Sequence, residues 1–189
     1  MKFPQTVTCF VVLFVIVNFG FSQNKSLAAI PSGVYVSKEN TNIKEAIATD
    51  NHKTLLAAYN ATDLNDLLEE SGPFTIFAPS DNAFLKLPKT KLEAMLNADN
   101  KNQLKSVLKY YIVPGKLTAS SILKALCRGK GKTTFTTIQG DKITATMRGI
   151  DIILTDSMGN SAMITVADST RGNGIMHEID SVILPPTRI

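Results

Sequence analysis

Two histidines and a lone cysteine beyond the amino-terminal segment have the widest chemical reach in this 189-residue chain. His177 stands next to Glu178 and near Asp180, and a Ser-His-Asp arrangement using it stays open because such triads gather from distant parts of the chain. No nucleophile elbow accompanies it, and no catalytic residue is assigned. His52 falls at a predicted helix start, where it is expected to be solvated or to cap. A metal site built on these two histidines would have to recruit scattered carboxylates, so neither a metal nor a cofactor is assigned. Gly131-Lys132-Thr133 matches the end of a phosphate-binding loop, but the glycine needed five positions before Gly131 is replaced by Leu126.

The densest charge feature is the group Lys124, Arg128, Lys130 and Lys132, with Cys127, Gly129 and Gly131 among them. Such a segment, read as a loop kept mobile by its glycines, suits an anionic polysaccharide, a glycosaminoglycan-like polymer or a lipid headgroup. Cys127 reads as a loop cysteine without a role, or one that pairs between chains. The formal net charge of +4 is too mild to imply nucleic acid, and the absence of Trp and of basic-aromatic interleaving excludes a single-strand platform. Asn24-Lys25-Ser26 and Asn60-Ala61-Thr62 match the glycosylation acceptor pattern, for which chance is the plain reading.

These side chains must be positioned by a domain that begins well inside the chain. After Met1-Lys2 the run from Val11 to Phe19 is almost wholly apolar and is followed by Gly20-Phe21-Ser22-Gln23, which reads as a secretory signal peptide over residues 1–22. The run is shorter than the ~20 apolar residues a spanning helix needs. The expected location is therefore extracellular or cell-surface, or periplasmic in a bacterium. Residues 23–41 form a lead-in, residues 42–186 one globular domain and residues 187–189 a tail. With Cys9 removed, Cys127 has no intramolecular partner.

Within the domain the hydrophobic period changes. Ile43, Ala46 and Ile47, then Leu55, Leu56, Tyr59, Leu64, Leu67 and Leu68, follow helical spacing up to Gly72-Pro73. Phe74, Ile76 and Ala78 alternate as a strand, and Ser80 or Asp81 can accept a helix-terminal N–H. Leu104, Val107 and Leu108 form another amphipathic stretch. Later, Phe135–Ile138, Lys142–Met147, Ile150–Leu154, Ala162–Val166 and Ile179–Leu184 are short β-branched runs bounded by Gly, Asp or Asn. Helices first and antiparallel strands after make an α+β domain. Phe74, Ile76, Phe77 and Phe84 are read as core, and His177 and Asp180 as held by buried hydrogen bonds.

Three segments add a family resemblance. Gly72-Pro73-Phe74-Thr75-Ile76-Phe77-Ala78-Pro79-Ser80-Asp81-Asn82-Ala83-Phe84 and Asn173-Gly174-Ile175-Met176-His177-Glu178-Ile179-Asp180-Ser181-Val182-Ile183-Leu184-Pro185 resemble the two signature boxes of the fasciclin (FAS1) domain family. Leu108 through Thr118 looks like its third mark, in which a Tyr-His pair usually precedes the Val-Pro-Gly turn; Tyr111 takes the place of that His. The resemblance implies the FAS1 fold, with N-terminal helices packed on a twisted antiparallel β-sandwich or wedge. It also implies a non-enzymatic role in cell adhesion or extracellular-matrix interaction. In animal relatives, segments equivalent to two of these marks are associated with integrin-mediated adhesion, which here would implicate Tyr110, Tyr111, Ile175, Met176 and Ile179. The expected partner is an extracellular-matrix or cell-surface protein or polysaccharide, not nucleic acid, with at most peripheral membrane contact. Two alternatives stay open: carriage of a small apolar ligand such as a lipid between helices and sheet, and a secreted hydrolase using His177.

Overall fold

A computed structural model of the chain describes residues 43–62, 64, 72–96, 100–171 and 174–186. The expected signal peptide, lead-in and tail, together with Asn24, Asn42, Leu67, Leu68 and Asn173, lie outside the described residues.

The early helical spacing takes form as α1 (Ile43–Ile47) and α2 (Lys53–Asn60), which bury Ala46 and Ile47, and Leu55, Ala58 and Tyr59 respectively. Strand β1 (Phe74–Pro79) is buried at every position and runs into α3 (Asp81–Leu85). Ser80 is the N-cap of α3: the Ala83 N–H donates to its Oγ at 3.3 Å. After Pro88 come α4 (Lys89–Leu96) and α5 (Lys101–Tyr110), and α5 buries Leu104, Val107, Leu108 and Tyr110 along one face. Strand β2 (Ile112–Pro114) leads to α6 (Ala119–Arg128).

Helix α6 is not among the expected elements, and its second half coincides with the segment expected to be a loop. The signals for it are local and short: Thr118 accepts the Ser121 N–H at 3.1 Å as N-cap, and Ile122 and Leu126 are buried one turn apart.

Five strands follow: β3 (Lys132–Thr136), β4 (Lys142–Arg148), β5 (Asp151–Thr155), β6 (Ser161–Arg171) and β7 (Gly174–Ile179). The sheet order is β2-β1-β7-β6-β5-β4-β3. Every neighbouring pair is antiparallel except β1 and β7, which are parallel, so the sheet is mixed. The Ile138 N–H donates to the Ile112 carbonyl at 2.8 Å, tying the chain just past β3 back to β2 and curling the sheet towards closure. Helix α5 packs against β2, and α6 against β3 and β4. The result is the α+β architecture expected.

One expected strand, Ile179–Leu184, is not a strand beyond its first residue. Side chains take the hydrogen bonds that a neighbouring strand would have satisfied: Leu184 N–H donates to Asp156 Oδ2 at 2.9 Å and the Ile183 carbonyl accepts from Tyr111.

Candidate functional site

The register Phe77↔His177 and Ala78↔Glu178 makes the two boxes, about a hundred residues apart in sequence, adjacent parallel strands in the interior of the sheet. Successive side chains of a strand point to opposite faces, so His177 and Glu178 serve two different clusters.

On one face, His177 is wholly buried and stacks on Phe77, with ring centroids 5.6 Å apart. Its Nε2–H donates to the Leu117 carbonyl at 2.7 Å, while Nδ1 accepts from the Asp168 N–H at 3.3 Å. That pattern defines a neutral imidazole with both nitrogens engaged by backbone. Burial pushes its pKa below the ordinary histidine value, against the opposing pull of the Leu117 carbonyl and Asp168. Asp168 has a positive φ of 59° and sits where β6 shifts register against β7, and its Oδ1 accepts from the Ala119 N–H at 2.8 Å at the start of α6. Thr75 completes the cluster, donating to the Gly115 carbonyl at 2.6 Å and accepting from the Leu117 N–H at 2.8 Å. His177 and Thr75 thus hold the Val113-Pro114-Gly115 turn against the two boxes. Neither group is open to solvent.

On the other face, His52 occupies the N-cap position of α2 but does not cap it. The expectation of a solvated or capping imidazole fails because the ring turns inward: His52 is 2% exposed, its Nδ1 is hydrogen-bonded with Thr49 Oγ1 at 2.6 Å, and its Nε2 lies 3.7 Å from Glu178 Oε2. Burial lowers its pKa, partly offset by Glu178, Asp81 and the Ala78 carbonyl. Asp81 supplies the cap instead, accepting from the N–H groups of Lys53 at 3.2 Å and Thr54 at 2.8 Å. Asp180, next along from β7, accepts the Met163 N–H at 2.8 Å and the Lys86 ammonium at 3.1 Å.

The residues drawn from the resemblance as a contact surface lie inside. Tyr110, Tyr111, Ile175, Met176 and Ile179 are all buried, none more than 5% exposed. Both phenols donate to backbone, Tyr110 to the Lys142 carbonyl at 3.2 Å and Tyr111 to the Ile183 carbonyl at 2.9 Å. Burial raises the pKa of each. β7 is an interior strand between β1 and β6, and α5 ends against β2, which places these large apolar groups in the core.

The cations are placed differently. Lys124, Arg128, Lys130 and Lys132 are all exposed, the first two one turn apart on α6 and the others across its exit into β3. Cys127 is a free, exposed thiol on the same helix. The glycines do not leave this segment loose. Gly129 N–H donates to the Ala125 carbonyl at 2.9 Å, Gly131 N–H to Leu126 at 2.8 Å and Lys132 N–H to Gly129 at 3.2 Å, which closes the helix end as a tight turn. A Cβ on Gly129 would lie 1.9 Å from the Lys132 carbonyl oxygen, so only glycine fits.

A separate cavity of about 580 Å³ lies between α4, α5 and the carboxy-terminal segment, lined by apolar Met95, Val107 and Leu184 and polar Gln103, Ser106 and Asp141 among others. It does not include either histidine. Among the described residues, no helix is long and apolar enough to cross a membrane.

The family model described as Fasciclin domain matches residues 50–185. Protein sll1483 of Synechocystis sp. is 33% identical over 159 residues, 84% of this chain and 81% of that protein. Human periostin is 30% identical over 77% of this chain, which corresponds to 16% of periostin. The solved structure of a FAS1 domain pair from the insect cell adhesion molecule Fasciclin I is similar in fold, with a TM-score of 0.62 at 19% identity, over 72% of this chain. The match spans 48% of that domain pair.

Proposed function

This chain belongs to the fasciclin domain family, and from that premise we propose that it works outside the cell as a non-catalytic adhesion or interaction module. In this reading a signal peptide over 1–22 and a lead-in over 23–41 precede the domain at 42–186. The domain acts by display: a rigid scaffold holds an exposed surface against an extracellular-matrix or cell-surface partner. The observation that carries the reading is the contrast between enclosed and exposed chemistry. Both histidines are buried with their polar atoms turned to the chain itself, whereas four cations stand exposed along α6 and its hydrogen-bonded exit turn. A hydrolase would need solvent or substrate to reach His177, which its burial denies. The adhesion molecule Fasciclin I, whose domain pair shares the fold, adds support.

Lys124, Arg128, Lys130 and Lys132 form the anion-facing part of the surface. Tyr110, Tyr111, Ile175, Met176 and Ile179 contribute through the shape they hold rather than by contact. One module attaches weakly, and presentation in many copies raises avidity. The test is retention of the purified chain on immobilised matrix proteins, polysaccharides and whole cells, singly and clustered on beads. Saturable retention on one class is expected, and its absence from every class even when clustered would overturn the reading.

A second reading, carriage of a small apolar molecule, is favoured by the cavity beside α4 and α5, whose volume of about 580 Å³ falls in the range of ligand sites. Extraction of a bound lipid with the purified chain, and its loss on Val107→Trp, would favour it over adhesion.

A further inference from the structure

We infer that the end of the sheet carrying the β4–β5 turn docks on an anionic lipid surface, with Ile150 entering the headgroup region and the surrounding cations holding the phosphates. The inference rests on the reading that the cationic turn faces an anionic partner, and it specifies that partner.

The strand registers bring the pieces together. Lys132 pairs with Thr146, so the turn from α6 into β3 lies beside the end of β4, and Arg148 pairs with Asp151 across the β4–β5 tip. At that tip Ile150 is 92% exposed, the most exposed large apolar residue of the described chain, and Met147 is 41% exposed. Met147 pairs with Ile152, a core residue, so the row of core-facing side chains continues past the point where the core ends. Around this apolar tip stand Arg128, Lys130, Lys132 and Arg148, all exposed, with Lys124 one helical turn further along α6. Asp151 pairs with Arg148 at the tip itself, while Asp141 and Lys142 belong to the opposite end of the strands.

Charge complementarity selects an anionic partner, and the exposed aliphatic groups select its kind. A sulfated or uronic polymer is matched by cations and has no use for a projecting Ile. A lipid interface takes both: basic side chains gain from the surface potential, and an aliphatic group gains by leaving water. Antiparallel hairpins alternate ends, so Met158, 63% exposed in the β5–β6 turn, lies at the far end and provides an internal control.

The chain contains no Trp, so Ile150→Trp and Met158→Trp each give a single emitter in the full chain. With vesicles of phosphatidylcholine and phosphatidylglycerol, the emission of Ile150→Trp is expected to shift to the blue, and with phosphatidylcholine alone to stay unmoved. Met158→Trp is expected to stay unmoved with both. In sedimentation of the chain with the anionic vesicles, Lys130→Gln and Lys132→Gln are each expected to lower partitioning about fivefold, and Ile150→Asn about tenfold. Unmoved Ile150→Trp emission on anionic vesicles, or an equal shift in Met158→Trp, would overturn the proposal. If the chain then still bound a heparin column in a salt-dependent way, the anionic-partner reading would stand without lipid docking; if it did not, both would fall.

Discussion

The phenol of Tyr111, at the end of α5, donates to the carbonyl of Ile183 at 2.9 Å, joining positions 72 residues apart inside the core. Ile183 lies in the irregular segment after β7, where no strand can take its carbonyl. Removing the hydroxyl leaves that acceptor buried without its partner. Tyr111→Phe is expected to lower the unfolding free energy by about 1–2 kcal/mol, read as a lower midpoint in urea with unchanged retention on any partner. A loss within error of zero would mean that the hydrogen bond contributes nothing net.

Acidification from about pH 7 to pH 5 is expected to reduce stability. The folded pKa values of His52 and His177 lie below the ordinary 6.5. The unfolded chain therefore binds more protons in this window, and stability rises with pH there. The contribution is complete above about pH 6.5 and is lost as pH falls from there towards the folded values. The slope can reach about 1.4 kcal/mol per pH unit for each histidine. Proton uptake on unfolding near pH 6, followed by calorimetry in buffers of different ionisation enthalpy, measures it directly; a flat profile would count against buried neutral imidazoles.

Asp81 links two helices, and its loss should be felt in the one to which it does not belong. Burial opposes its charge, but the hydrogen bonds from Thr54 and Lys53 and the nearby His52 outweigh burial and hold the carboxyl below its ordinary 3.8. Asp81→Ala is expected to cost about 1 kcal/mol and to speed amide exchange in the first turn of α2. Because the folded pKa is depressed, this stabilisation is present above about pH 4 and disappears as pH falls through the folded value, well below the histidine window. Exchange enhanced only within α3 would contradict the assignment.

Gly129→Ala is expected to destabilise the domain by about 2 kcal/mol, because the new methyl would meet the Lys132 carbonyl oxygen at 1.9 Å. The adjustment falls on the turn that presents Lys130 and Lys132. Weaker salt-dependent retention on a polyanion column should therefore accompany the drop in melting temperature. Normal stability would show that the turn opens at no cost.

What repeats at short range is legible in the residues themselves. Spacing marks α1, α2 and α5, alternation with turn residues marks β1 and β4 to β6, and Ser80 is readable as a cap, whereas β3 begins at Lys132, ahead of the run Phe135–Ile138; the boxes identify the family because their residues are contiguous. The fates of individual polar and aromatic residues were decided only by the tertiary structure, since they depend on partners far along the chain. His52 reads as solvated until Glu178 is placed beside it, and Tyr110, Tyr111, Ile175, Met176 and Ile179, a contact surface by the family resemblance, prove to be buried once the helices and sheet are packed. The same holds for Ile150: local pattern makes it the first residue of a strand run, but whether an apolar side chain at a strand end meets core or water depends on where the packed helices stop.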